Sequence, residues 1–254
     1  MSRLFSCLML VGVLILAGSL MQAPVYADSA KPVFSSIQNK AIEKIVHDYL
    51  LAHPEVIVEA MHELEAREKA QSADKFDKAL AGNRQQIYND PGSFVAGNRV
   101  GDITIVEFFD YQCGYCKRAF GPLMQALESD SRIRLVLKEF PILGPTSITA
   151  SRAVMAAGRQ GKYFEMHKAL YESKGSLSDE KVIGIARDLG LDIKKLAADM
   201  KSPEIGKIID RNYALADALG IEGTPAFIIG DKLYPGALDS ERLEGILEEQ
   251  RKKK

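Results

Sequence analysis

The chain has 254 residues, 46% hydrophobic and 26% charged, with 33 basic against 34 acidic side chains and a net charge of −1. These proportions belong to a folded globular protein and exclude disorder over most of the length, while nothing in the charge balance suggests nucleic acid or a strongly charged partner. The length exceeds the ~100 residues that one small core needs, so a second segment or large insertions must account for the remainder.

The first residues read as a secretory leader: Arg3 supplies the positive start, Leu8 to Leu20 an apolar run, and Val25-Tyr26-Ala27 a small-residue cleavage pattern. Cleavage after Ala27 gives a mature chain starting at Asp28. The alternative is an uncleaved anchor, which Gly12, Gly18 and Ser19 weaken, and Cys7 lies ahead of the apolar run rather than at its end, where a lipid-modified cysteine belongs. Removing residues 1–27 takes Arg3 and Cys7 with it, moves the net charge to −2 and leaves two cysteines, Cys113 and Cys116. No other long apolar run exists, so the mature protein is expected to be soluble.

Residues 28–92 read as a separate helical segment. Ile42, Ile45, Val46, Tyr49 and Leu50 recur at helical spacing before a break at His53-Pro54; a second helix carries Val56, Ile57, Met61 and Leu64, turns highly charged, and resumes a thin stripe at Phe76, Leu80 and Ile87 until Asn89-Asp90-Pro91-Gly92 ends it. Two such helices enclose no core alone, so their apolar faces need either the body of the chain or the same segment of another copy. The narrow stripe flanked by charge favours self-association into a dimer or trimer.

From Ile103 to Phe109 the pattern changes to a β-branched and aromatic run, fit for a buried central strand, and Ile133 to Phe140 is a second after a helix from Cys116 to about Ser129. Strand, helix, strand implies a parallel pair with a right-handed crossover. Five helices are expected over residues 146–220, at 150–158, 163–171, 178–189, 192–201 and 205–219. A hairpin of Ala226 to Ile229 and Lys232 to Tyr234 turns at Gly230-Asp231, and a last helix runs from Asp239 to about Gln250. Residues 93–254 thus form an α/β body, a mixed sheet with a helical block inserted before its final hairpin.

The chemistry lies in Cys113-Gly114-Tyr115-Cys116, which follows the first strand and opens a helix. Free N–H groups and the dipole at a helix start stabilise a thiolate at Cys113, and the two-residue spacing lets Cys116 resolve a mixed disulfide. Zinc binding needs further ligands, and His47, His53, His62 and His167 show no metal-ligand spacing. A purely structural disulfide this short gains little from loop closure, and inert buried thiols fit poorly at a helix start. Strand alternation points Glu107 inward, where a buried carboxyl with a raised pKa can move protons for Cys116; the alternative is a Glu107 reaching solvent at a strand edge. Thr224-Pro225, at a strand start after Gly223, is an X-Pro bond that can be cis and lie beside the cysteines.

The runs Val106-Glu107-Phe108-Phe109-Asp110-Tyr111-Gln112-Cys113-Gly114-Tyr115-Cys116-Lys117, Gly223-Thr224-Pro225-Ala226-Phe227 and Tyr163 to Leu170 together resemble the DsbA-like branch of thioredoxin-fold proteins, over residues 93–250. The segment Asp48 to Val56 resembles the suppressor-of-copper-sensitivity C proteins and the Com-type outer-membrane-associated antigens. The resemblance implies a thioredoxin fold with an inserted helical domain and a redox pair in which Cys113 is the nucleophile and Cys116 the resolving thiol. It further implies Glu107 as the buried carboxyl, Thr224-Pro225 with Gly114 and Tyr115 contacting substrate, and oligomerisation through the N-terminal segment. Strongly oxidising relatives carry Pro-His between the cysteines; Gly114-Tyr115 lacks that imidazole, so a milder oxidant is expected, and a threonine before the proline resembles disulfide isomerases. The expected protein is a periplasmic thiol:disulfide oxidoreductase, without cofactor, that forms or isomerises disulfides in unfolded or misfolded exported proteins and is reset by a membrane redox partner. The alternatives are a surface-associated scaffold at the outer membrane and copper handling through the thiolates.

Overall fold

The computed structural model describes residues 34–253, so the expected leader and Cys7 lie outside the described residues. The chain divides into two compact units, one ending at Met61 and one beginning at His62.

In the first unit, α1 (Ser36–Ala52) opens with a reciprocal cap: the Ser35 hydroxyl accepts from the Gln38 N–H, and the Gln38 side chain accepts from the Ser35 N–H at 2.8 Å. It stops at His53, ahead of Pro54, and α2 (Glu55–Tyr88) starts there. No residue of α1 is buried; Ile42, Ile45, Val46 and Tyr49 form an exposed apolar stripe at helical spacing.

The second unit takes the rest of α2 and continues as β1 (Phe94–Gly97), β2 (Ile103–Phe109), α3 (Gly114–Ser129), β3 (Ile133–Glu139), α4 (Pro145–Gly158), α5 (Tyr163–Glu172), α6 (Asp179–Asp188), α7 (Ile193–Met200), α8 (Pro203–Ala218), β4 (Ala226–Ile229), β5 (Lys232–Pro235) and α9 (Ser240–Lys252). The sheet order is β1-β3-β2-β4-β5, with β2 and β3 parallel and the other pairs antiparallel. The mixed sheet and the helical block between β3 and β4 are as the sequence leads one to expect. The edge strand β1 is not: four residues with a half-buried pattern give no alternation to read. The first inserted helix also begins earlier, at Pro145, where a missing N–H costs nothing in the first turn.

Alternation along the central strands divides the core in two. Ile105, Phe109, Leu135, Leu137, Phe227 and Ile229 face one side with α3, α4, α5 and α9, whereas Val106, Phe108, Val136, Phe140 and Ile228 face the other. Leu80 and Ile87 of α2 are buried in this second core, so the end of that helix belongs to the body. Its last residues are tied down by polar contacts as well. Tyr88 donates to the Gly230 carbonyl in the β4–β5 turn at 2.7 Å, and Lys138, fully buried on β3, bonds the Gln86 carbonyl and sits 3.4 Å from Asp90.

Candidate active site

The last residues of β2 deliver the chain into the first turn of α3. Cys113 is the N-cap of α3, extended at φ −73° and ψ 114°, and its sulfur accepts from the Cys116 N–H at 3.2 Å, the contact a serine or aspartate makes at other helix starts. Both thiols are free. Cys113 is 6% exposed and Cys116 wholly buried beneath it, whereas Tyr115 between them is 60% exposed with the Arg118 guanidinium 4.1 Å over its ring. Gly114 has open space where a side chain would stand.

The Thr224-Pro225 bond is cis and brings the Thr224 carbonyl to 3.1 Å from the Cys113 sulfur, a bond that the protonated thiol donates. Cys113 is nevertheless acidic, lowered to about 6. The Cys116 thiol donating to its sulfur contributes most, with the Thr224 hydroxyl and the N–H groups of Cys116 and Tyr115 adding to it against the opposing effect of burial. Cys116 is driven strongly the other way, by burial first, then by donating to Cys113 and by the charge of Glu107. One pair of identical side chains is thus split into an acidic thiol at the helix start and a basic one beneath it.

Glu107 points into the same face as the cysteines. It is opposite Leu137 and Phe227 and 2% exposed, so it does not reach solvent at an edge. Burial, the Cys113 thiolate and Glu139 push it up to about 8. All seven positions singled out in the sequence, Glu107, Cys113, Gly114, Tyr115, Cys116, Thr224 and Pro225, therefore belong to one neighbourhood.

Two groups of residues around the site escaped the sequence reading. The first is Asp110, fully buried, whose carboxylate accepts from the Gln112 N–H at 2.7 Å, the Leu143 N–H at 2.9 Å and the Ser147 hydroxyl at 2.8 Å, while its carbonyl accepts from the Cys113 N–H. Gln112 adds a bond to the Leu143 carbonyl at 3.1 Å. This knot holds the β3–α4 loop beside the cysteines, where Ile142, Leu143 and Ile148 stay exposed. The second is a buried polar group behind the site. The Tyr111 and Tyr163 phenols donate to Glu139 Oε1 at 3.1 and 2.7 Å, and His167 Nδ1 lies 2.9 Å from the Tyr111 oxygen. Burial pushes Glu139 up to about 7 and His167 down to about 3, so the imidazole is neutral. The alternation that exposes Glu107 to notice also marks Glu139, at the end of the second apolar strand.

A shallow groove of about 270 Å³ runs along Gly220 to Ala226 and reaches Leu233 and Pro235. Among the described residues no group of three or more His, Cys, Asp or Glu is placed to hold a metal ion, and no helix is long and apolar enough to cross a membrane.

Comparison with known proteins agrees with this geometry. A thioredoxin-like oxidoreductase from Silicibacter pomeroyi DSS-3 is 44% identical with a TM-score of 0.65, over 67% of this chain and 98% of its own. A linker-deletion mutant of Proteus mirabilis ScsC is 28% identical with a TM-score of 0.66, over 89% and 100%. The thiol-disulfide exchange protein alpha-DsbA2 from Wolbachia pipientis is 30% identical with a TM-score of 0.65, over 70% and 97%. Among curated relatives, a Na(+)/H(+) antiporter NhaA from Herminiimonas arsenicoxydans is 31% identical over 160 residues, 62% of this chain; the chain spans 25% of that protein's length. The family description "Copper resistance protein ScsC N-terminal domain" fits residues 38–71, and "DSBA-like thioredoxin domain" fits residues 104–248. That second match covers more than half of the sequence and takes in both cysteines, Glu107 and the Thr224-Pro225 loop, and by it the chain belongs to the DSBA-like thioredoxin domain family.

Proposed function

We propose that this protein is a periplasmic thiol:disulfide oxidoreductase that forms disulfides, isomerises them, or both, in unfolded or misfolded exported proteins through Cys113 and Cys116. The observation that carries the reading is the opposed acidity of the two thiols at one helix start, Cys113 lowered to about 6 and Cys116 raised. Near neutrality Cys113 is a thiolate and attacks a substrate disulfide. One substrate sulfur bonds Cys113 and the other leaves as a thiolate that takes a proton from water. The charge at Cys113 is then gone, which removes one of the influences holding the proton on Glu107. Ionised Glu107 accepts the Cys116 proton, the Cys116 sulfur attacks Cys113, and the second substrate sulfur departs; two cysteines are oxidised and one substrate disulfide reduced. Run in reverse, the same steps oxidise a substrate dithiol, after which a membrane redox partner must reoxidise the pair.

Substrate breadth fits the surroundings. Tyr115 between the cysteines, and Ile142, Leu143 and Ile148 at the β3–α4 junction tied to Asp110 and Gln112, expose apolar surface suited to an unfolded segment, and the Thr224-Pro225 loop offers its backbone beside the sulfur. Gly114-Tyr115 places no imidazole against the thiolate, in keeping with a milder oxidant. A homo-oligomer built through the N-terminal segment would set several sites around one trapped substrate and favour isomerisation. The exposed stripe on α1 and the ScsC N-terminal match over residues 38–71 support that assembly.

Redox titration of the Cys113/Cys116 pair against glutathione, alongside recovery of activity from a scrambled disulfide protein, tests the reading. Exchange in one assay or both, lost in Cys113→Ala, is expected. Absence of exchange in both assays by the unmodified protein refutes it and leaves the scaffold alternative.

A further inference from the structure

Two buried carboxyls, Glu107 and Glu139, lie behind the cysteine pair. We propose that Glu139 is a positioning residue for the proton that Glu107 handles: Glu107 and Glu139 share one proton near neutrality, and the Tyr111 and Tyr163 phenols set how it is divided. This rests on the redox reading above and deepens it.

The two side chains lie on the same face of adjacent parallel strands. Glu107 pairs with Leu137 and Glu139 with Phe109, so the carboxyls are diagonal neighbours offset by two residues. Both are 2% exposed. The groups facing Glu139 come from each packed element: Tyr111 from the β2–α3 turn, Ser151 from α4, Tyr163 and His167 from α5, with Asp110 and Glu107 contributing charge through β2. Asn212 of α8 donates to the Glu139 backbone carbonyl and leaves the carboxyl alone. No lysine or arginine is among them, because the one buried lysine among the described residues, Lys138, faces the opposite side of the sheet toward Asp90. Two negative charges in such a place repel at low dielectric, and the pair titrates as a unit that keeps a proton.

Donor counting shows where Glu139 holds its share. Oε1 accepts both phenolic protons; Oε2 is buried without a well-formed hydrogen bond, and the Ser151 hydroxyl, itself unpaired, is the donor near enough to lower Glu139 further. With the Tyr111 proton given to Glu139, His167 must donate through Nδ1, and its buried Nε2 is likewise left without a partner. The phenols thus favour ionised Glu139, and Oε2 is the free position for a proton. When Glu139 is ionised its charge keeps the shared proton on Glu107; when it is neutral Glu107 ionises more readily and becomes the base that Cys116 needs.

The test uses an aromatic disulfide whose thiolate is coloured. Cys113 displaces one aromatic thiolate and forms a mixed disulfide; Cys116, losing its proton to Glu107, then closes the Cys113–Cys116 disulfide and releases a second. The pH dependence of the second release reads the base. Glu139→Gln should move its midpoint down by about one pH unit, as removal of a like charge demands. Tyr163→Phe, which withdraws a donor from ionised Glu139, should move it the same way by less, and Glu107→Gln should remove the pH-dependent limb. An unmoved midpoint in folded Glu139→Gln, whatever its rate, overturns the proposal; if that variant does not fold, an unmoved or raised midpoint in Tyr163→Phe does so. Failure of the unmodified protein to give either release refutes the redox reading itself, a result distinct from two normal releases with an immovable midpoint.

Discussion

Replacing Cys116 with alanine isolates what makes Cys113 acidic. The Cys116 thiol is the largest contributor to the drop from 9.0 to about 6, ahead of the Thr224 hydroxyl and the backbone N–H groups. A hydrogen bond to a charged acceptor is worth about 1.5–3 kcal/mol, or roughly one to two pH units. The Cys116→Ala midpoint should therefore rise to between about 7 and 8, short of an ordinary thiol because the α3 dipole and N–H groups remain. Alkylation by iodoacetamide across a pH series under reducing conditions, or thiolate absorbance, gives the midpoint directly. Well below pH 6 the variant should hold about 10- to 100-fold less thiolate than the parent, and above about pH 9 the two should be equally ionised. The midpoint is the quantity to compare, since a more basic thiolate is also the better nucleophile and partly offsets the loss in rate. A variant midpoint unchanged near 6 would show that the helix start alone sets the acidity. A parent midpoint near ~8.5, that of an ordinary thiol, would remove the basis of the proposed function.

Glu107→Gln should make the fold more stable while slowing resolution. A carboxyl raised on folding from 4.5 to about 8 weakens the fold wherever the unfolded chain would ionise it, with the effect growing above pH 4.5 and complete past 8. Urea unfolding at pH 7 should then show a gain of roughly 1–3 kcal/mol that vanishes below the lower pH. Asp110→Ala removes the acceptor of three hydrogen bonds, one of them from the buried Ser147 hydroxyl, and a loss of about 1–3 kcal/mol is expected in the same assay, with a higher KM for peptide substrates from a loosened β3–α4 junction. On the far face, Asp90→Ala leaves Lys138 uncompensated and should cost about 3–5 kcal/mol, more than Lys138→Met, which removes the buried charge itself. Ile45→Asp in the full chain should lower the solution mass measured by light scattering toward that of a monomer without reducing the rate of thiolate formation at Cys113; an unchanged mass would exclude α1 as the seam.

The local chemistry was legible because it is local. A β-branched run, a cysteine at the following helix start and a second cysteine three residues on specify strand, helix start and thiol pair within 14 residues, and the same stretch carries the family resemblance. Alternation was enough to send Glu107 inward, because an apolar strand buried on both faces leaves no solvent edge. Periodicity likewise found the inserted helices and the β4–β5 hairpin. What the sequence could not decide were relations between distant residues. Four-residue β1 exists only because β3 offers it a partner. Leu80 and Ile87 read as part of a free helix until the second core takes them in. Asp110 looks like a polar residue after a strand, and becomes a knot only when Leu143 and Ser147 arrive from a loop more than thirty residues away. Tyr111, Tyr163 and His167 are likewise ordinary in their own segments, and although alternation marks Glu139, only the packing of α5 against the sheet removes water and binds the four to one another. Thiol acidity at Cys113 follows from sequence position, whereas the proton economy beneath it follows from burial, which no short stretch of chain determines alone.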